Sequence, residues 1–277
     1  MRVSSTGIFS FFLLFASVPT GNFGDILAGF YSKQMGLPIS NLIIATNEND
    51  ILHRFLKTGS YEKMKRLDSA IQDSNVNSHP KFEDVKQTLS PAMDILISSN
   101  FERFLFHLLV QVHGSHTEAS QILNHYMTDL KTIGGFSVAP EVLDMARAHF
   151  SSYRASDHDT MDAIRRYYHD GQERYVLDPH TAVGVVAAEN LCNHNHTVQT
   201  IVLGTASPGK FPDAVLSAIN GGESLKAPLQ YEDFAPRALV ELDGLPKRCI
   251  EIKTGGDFKK AVQGTKIVLE GVLHGRV

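Results

Sequence analysis

The sequence predicts an α/β fold: a parallel sheet with helices on both faces. Three observations carry that expectation. A glycine turn, "TGNFGD" from Thr20 to Asp25, stands between an extended segment and a run of helical spacing. Two short apolar runs, Leu42–Thr46 and Ile201–Thr205, are bounded by polar residues in the manner of buried strands. Each is followed by a helical pattern, and strand–helix alternation builds parallel sheets covered on both sides. Two strands alone cannot bury their own faces, so the chain reads as part of a larger sheet.

The N-terminal residues 1–17, "MRVSSTGIFSFFLLFAS", carry one cation, Arg2, an apolar run from Ile8 to Ala16, and a small-residue site near Ala16–Ser17. That is the shape of a signal peptide and is too short to span a bilayer. Cleavage there would leave the glycine turn with no strand in front of it. Residues 1–17 are therefore expected to lie outside the fold, as a secretory signal or as an artefact of the gene model.

Val18-Pro19-Thr20 is extended, because a residue before proline is pushed out of the helical region. Gly21 and Gly24 permit positive φ and carry no Cβ to obstruct a ligand. Ile26, Leu27, Phe30, Tyr31 and Met35 then recur at helical spacing, and Gly36-Leu37-Pro38 ends the helix. In such a strand–turn–helix unit successive backbone N–H groups and the helix dipole converge on an anion. A plain glycine-rich turn is the alternative.

Further on, "NENDILHRFLKTGSY" is a short helix with Asn49 or Asp50 as cap. Residues 60–92 are polar and proline-bearing, a loop or insertion. "SSNFERFLFHLL" is a helix capped by Ser99 or Asn100, burying Phe101, Phe104, Leu105 and Leu108. Two helices between Ser115 and His149 are split by "TIGGFSVAP", and Ser156 with Asp159 forms a capping box. "SPGKFPDAVLSAI" is the helix after the second strand.

A formal net charge of −4 and the lack of a basic stripe argue against a nucleic-acid partner. Cys192 and Cys249 match neither a zinc spacing nor a disulfide framework and read as two buried or incidental thiols in a reducing compartment. "LCNHNH", Leu191 to His196, places two histidines close together with no third ligand, so no metal is expected.

Five segments occur in order: "VPTGNFGDILAGFYSKQMGLPI", "LIIATNENDILHRFLKTGSY", "LSPAMDILISSNFERFLFHL", "LDPHTAVGVVAAE" and "GTASPGKFPDAVLSAI". Together they resemble threonine synthase, over residues 18–220, and the resemblance fades over residues 221–277, a C-terminal extension. It implies a tryptophan synthase β-like fold (fold type II), in which pyridoxal 5'-phosphate lies between two α/β domains. It also implies that the N-terminal half of that fold is missing here.

In the family the turn holds the cofactor's phosphate, a role that the resemblance carries to Gly21, Asn22, Phe23, Gly24 and Asp25. Thr205 matches the threonine that bonds the pyridine nitrogen. "TASPGKF" departs from the family's commoner "TAHPAKF" at Ser207 and Gly209 but keeps Thr205. Asn49 and Arg54 are candidate substrate-binding residues, Arg54 through a charge-assisted fork to a phosphate; a solvated helix-surface arginine is the alternative. His180 is an active-site neighbour or a capping or core histidine. The family's Schiff-base lysine lies in a "SFKD"-like segment with no counterpart in these residues, and neither Lys33 nor Lys210 matches it. No catalytic residue is therefore assigned.

The implied activity is that of a lyase in threonine biosynthesis, converting O-phospho-L-homoserine and water to L-threonine and phosphate. The chain is expected to be truncated and inactive alone. The alternatives are an O-phosphothreonine phospholyase and a non-catalytic secreted fragment. The expected partner is a small phosphorylated amino acid, with no nucleic acid and no membrane span, and the oligomeric state is left open. The expected location is cytoplasmic, or secreted if the leader is a functional signal.

Overall fold

A computed structural model describes residues 13–64, 82–170, 174–192, 198–221, 227–246 and 249–274. The chain divides into two units, residues 1–235 and residues 236–277. In the first, strands β1 (Leu13–Pro19), β2 (Ile39–Thr46), β5 (Phe150–Arg154) and β6 (Val198–Val202) form one sheet in the order β5-β2-β1-β6. Every pairing in it is parallel. Strands β3 (Ser60–Glu62) and β4 (Gly135–Ser137) make a separate antiparallel ribbon.

The helices of this unit are α1 (Gly24–Gln34), α2 (Ile51–Thr58), α3 (Phe101–His113), α4 (His116–Thr132), α5 (Pro140–His149), α6 (Asp157–His169), α7 (Pro179–Cys192) and α8 (Pro212–Asn220). Strand β2 shows how the two faces are filled. Leu42 and Ile44 join a core with Ile26, Phe30, Phe55 and Phe104, whereas Ile43 and Ala45 join one with Ile164, Val183, Val186 and Val215. That is the strand period of two, each face meeting its own helices. Helix α7 is buried at every position from Pro179 to Ala188, as a helix apolar all round should be.

Strands β2 and β6 lie parallel in one sheet with β1 between them, but the second strand is corrected: it is Val198–Val202, not Ile201–Thr205, and at the sheet edge it leaves Ile201 exposed instead of buried. The leader expectation is corrected in part. Leu13–Ser17 are not outside the fold: they are most of β1, paired on both edges, so a cut between Ala16 and Ser17 would split the central strand. Residues 1–12 lie outside the described residues. Strands β3, β4 and β5 were not expected. In β5, "FSSYR", only Phe150 and Ser152 are buried, so the apolar signal is weak.

Capping differs as well. Asp50 precedes α2 without a side-chain cap bond, because its carboxylate accepts from Arg54 Nε at 2.9 Å. Asn49 is spent elsewhere, on Asn47, Lys86 and Asp94. Neither Ser99 nor Asn100 caps α3; both turn towards Asn22. The capping box at Ser156 and Asp159 forms as expected. A 3-10 turn at Pro208–Lys210 takes the start of "SPGKFPDAVLSAI", and α8 begins at Pro212.

The first unit runs past residue 220 because Asn220 clamps the next segment. Its Nδ2 donates to Leu229 O and its Oδ1 accepts from Leu229 N–H, both at 2.9 Å, which seats Leu229 in the core. The second unit contains α9 (Arg237–Val240) and α10 (Phe258–Leu273), the latter started by Asp257, whose carboxylate accepts from the N–H groups of Lys259 and Lys260. Among the described residues no helix is long and apolar enough to cross a membrane.

Phe104 is 1% exposed and sits with Phe23, Phe30 and Phe150, at centroid distances of 5.6, 5.1 and 4.9 Å. Phe104→Ala is expected to cost about 3–5 kcal/mol of stability, read as a lower urea midpoint, while truncating the exposed Tyr175 should leave the midpoint within error.

Candidate cofactor site

The turn between β1 and α1 separates its donors from its acceptors. The Gly21 carbonyl accepts from Ser98 Oγ at 2.6 Å. The Asn22 carbonyl accepts from Asn100 N–H at 3.2 Å and from Asn100 Nδ2 at 2.9 Å. Asn22 Oδ1 accepts from Ser99 N–H and Oγ at 3.4 and 3.2 Å. The N–H groups of Gly21, Asn22, Phe23, Gly24 and Asp25 have no protein acceptor among the described residues. They open the 11-residue helix α1, whose N-terminus carries the positive end of the dipole.

The left-handed residue of the turn is Phe23, at φ 63°, and neither Gly21 nor Gly24 takes positive φ. This corrects the expectation that the two glycines supply that freedom. A non-glycine residue in this region is strained by about 1–3 kcal/mol. The Phe23 ring offsets the strain by packing edge-on to Phe101 at 5.3 Å and Phe150 at 5.7 Å. Gly21 is needed for close approach instead: a Cβ there would lie 3.1 Å from Met93 Cα and 3.3 Å from Ala92 O. Burial pushes the Asp25 carboxyl above its ordinary value.

Thr205 lies on the next strand's loop. Strands β1 and β6 are parallel neighbours with Ser17 opposite Val202, so the loops after Pro19 and after Val202 leave the same edge of the sheet. The Thr205 side is exposed, and its backbone N–H donates to Thr181 Oγ1 at 3.3 Å. Thr181 Oγ1 in turn donates to the Asp178 carboxylate. That carboxylate also accepts from His180 N–H at 2.9 Å, Thr181 N–H at 3.2 Å and His180 Nδ1 at 3.2 Å. His180 Nε2 accepts from Ala92 N–H at 3.1 Å, which leaves Nδ1 as the protonated nitrogen. His180 is 3% exposed and packs on Phe211, so it is a fastener of the N-terminus of α7.

The loop after β2 leaves the same edge. Asn47 is 2% exposed, and its Nδ2 lies within reach of Thr88 Oγ1, Ser90 Oγ and Asp94 Oδ1 at 2.8, 3.0 and 2.8 Å. It anchors the segment that runs on to the wall over Gly21. Arg54 bonds Asp50 and donates through Nη1 to Glu62 O at 2.9 Å, and it lines a cleft with Lys63 and Lys86 beside Glu48, Asp50 and Glu83. Lys33 Nζ donates to Ser40 O at 2.7 Å, and Lys210 is exposed. His194 and His196 lie outside the described residues. Sequence reasoning missed the 88–95 wall, the Ser98–Asn100 contacts and the Asp178–Thr181 pair. The polar "DPHT" ahead of an otherwise apolar helix was the available signal for the last of these.

A parallel sheet with helices on both faces, and a glycine turn at the C-terminal end of an inner strand, is the layout in which α/β proteins bind phosphorylated ligands. Residues 181–263 match the family model "Threonine synthase, C-terminal". Threonine synthase from Eremothecium gossypii is 42% identical over 264 residues, covering 93% of this chain and 47% of the relative. That from Schizosaccharomyces pombe is 49% identical over 236 residues, 82% of this chain and 42% of the relative. Among solved structures, yeast threonine synthase superposes with TM-score 0.77 at 41% identity, covering 95% of this chain and 48% of that one. The structure of PLP-bound threonine synthase from Brucella melitensis gives 0.66 at 39%, covering 85% and 42%. Over most of its length the chain is thus similar to threonine synthases, and residues 181–263 match the C-terminal part of that family. It spans a little under half the length of these curated relatives.

Asp178 carries a pH signature. Burial pushes its carboxyl up, but the hydrogen bonds from His180 and Thr181 outweigh this and hold it below its ordinary value. A carboxyl lowered in the folded state contributes stability above its unfolded value, near 4, and that stability is lost as pH falls through the folded value. Asp178→Asn should therefore lose about 1–3 kcal/mol at neutral pH. Its stability should also fall less steeply than the wild type's below pH of about 4. Denaturant melts across the acid range check both.

Proposed function

We propose that this chain holds pyridoxal 5'-phosphate at the Gly21–Asp25 turn and takes part in converting O-phospho-L-homoserine and water to L-threonine and phosphate. The observation that carries the reading is the set of N–H groups from Gly21 to Asp25, left without protein acceptors among the described residues while the carbonyls of Gly21 and Asn22 are taken. A turn with its acceptors filled and its donors open suits a phosphate. The same residues match the family's phosphate loop one for one.

The residues present fit the cofactor. The backbone N–H groups of the turn would bind its phosphate, aided by the dipole of α1. Phe23, wedged among Phe101, Phe104 and Phe150, fixes the direction of those groups. Thr205, on the neighbouring loop of the same sheet edge, would donate its hydroxyl proton in a hydrogen bond to the ring nitrogen; a neutral partner leaves that nitrogen largely unprotonated. Asn49 and Arg54 are assigned to the substrate's side of the site, with Lys63 and Lys86 beside Arg54. When bound, the cofactor supplies the electron sink for the amino-acid carbons. The family's Schiff-base lysine has no match in these residues. Lys33 is committed to Ser40 O, and no covalent role is assigned to it.

Calorimetry on the purified chain tests the reading. Pyridoxal 5'-phosphate should bind, inorganic phosphate should displace it, and pyridoxal, which lacks the phosphate, should bind at least about tenfold more weakly, the worth of a single charge-assisted contact. Pyridoxal binding as tightly as its phosphate ester would contradict the proposal. The chain on its own should form no threonine from O-phospho-L-homoserine.

A further inference from the structure

We infer that Thr181 is a positioning residue: its hydroxyl, clamped by Asp178, holds the Thr205 backbone and so sets where the Thr205 side chain meets the far end of a bound cofactor. The inference rests on the cofactor reading above and extends it to a residue that would not touch the cofactor.

Thr205 needs such a hold. The ladder of β1 and β6 ends with Leu203 N–H donating to Ser17 O at 3.0 Å. Gly204 follows, with no heavy atom within 4 Å of where its Cβ would be, and Thr205 itself is exposed. Nothing in this packing pins the peptide between them. The next fixed point before the 3-10 turn at Pro208 is the bond from Thr205 N–H to Thr181 Oγ1.

Thr181 is suited to give that hold. It is buried in the first turn of α7, with 8% of its surface exposed. A hydroxyl has one proton to donate and two lone pairs. The proton is spent on Asp178, which leaves a lone pair for the Thr205 N–H and polarises the oxygen into a better acceptor. Asp178 is itself fixed by the N–H groups of His180 and Thr181 and by His180 Nδ1.

His180 carries the chain of bonds further. Its Nε2 accepts from Ala92 N–H, and Ala92 O lies 3.3 Å from the position of a Cβ on Gly21. One bonded path therefore runs from the wall over the phosphate turn to Thr205. Both ends of the site are referred to the N-terminus of α7, which fixes their separation. Capping alone does not account for this arrangement. A cap needs Asp178 and the backbone N–H groups of His180 and Thr181, but not a side-chain oxygen turned to a residue 24 positions away.

The test compares the full wild-type chain with Thr181→Val, which keeps the shape and removes the oxygen, and Thr181→Ser, which restores it. Two readouts are used: amide hydrogen exchange at Thr205 without ligand, and calorimetric affinities for pyridoxal 5'-phosphate and for inorganic phosphate. In Thr181→Val the Thr205 amide should exchange faster, and pyridoxal 5'-phosphate should bind about 3–10-fold more weakly. Inorganic phosphate should bind as in the wild type, and Thr181→Ser should recover both losses. If Thr181→Val does not fold, Thr181→Ala replaces it in the same comparison.

The inference is overturned if the variant binds pyridoxal 5'-phosphate like the wild type. It is also overturned if phosphate affinity falls in parallel, since Thr181 would then merely support the fold. A wild-type chain that binds neither probe overturns the cofactor reading, and the inference with it.

Discussion

The site depends on one imbalance: the Gly21–Asp25 turn has its carbonyls satisfied and its N–H groups open. Folded proteins rarely leave backbone groups without partners, and here water or an anion must serve the donors. The imbalance is built by the segment from Ser98 to Asn100, which takes up the acceptors of Gly21 and Asn22 instead of capping its own helix. The same segment is anchored from behind, where Ser98 N–H donates to the buried Tyr61 hydroxyl at 2.8 Å. Burial pushes that hydroxyl's pKa up to about 12, so it stays protonated across the working pH range. The aromatic cluster then holds Phe23 in its left-handed conformation and aims the turn.

The parallel sheet brings the other parts to the turn. With β1 in the middle of the order β5-β2-β1-β6, the loops after β1, β2 and β6 emerge together at one edge, where α/β proteins place their ligands. Helix α7 fits tightly beneath that edge. A Cβ on Gly184 would lie 3.0 Å from Val202 Cγ1 and 3.1 Å from Pro19 Cγ, and Ser17 Oγ donates to Gly184 O at 2.7 Å. Gly184 thus sets the height of α7 against β1 and β6, and with it the level at which Asp178, His180 and Thr181 meet the loops.

Much of this was legible in the residues. The strand–turn–helix unit at Thr20–Asp25, the buried strand β2, the buried face of α3 and the capping box at Ser156 follow from period and turn chemistry, whereas β6, apolar in sequence, is an edge strand that leaves Ile201 exposed. What was not legible has a physical cause in each case. The apolar run before Ser17 looks alike as a signal core and as a central strand, because both are continuous apolar stretches. Strand β5 carries serines and shows no apolar run. The positive φ at Phe23 depends on rings from α3 and β5, far away in sequence, and so does the fate of Asn100. The long-range bonds of His180 and Thr181 carry no spacing signal, since their partners are Ala92 and Thr205.

The most direct measurement of the central claim is an amide chemical-shift titration of the isotopically labelled chain with inorganic phosphate. Saturable shifts of the N–H groups of Gly21 to Asp25, with or without a second set at Arg54, Lys63 and Lys86, are the result that the account predicts. Shifts centred instead on that lysine and arginine cleft, with the glycine turn silent, would contradict it.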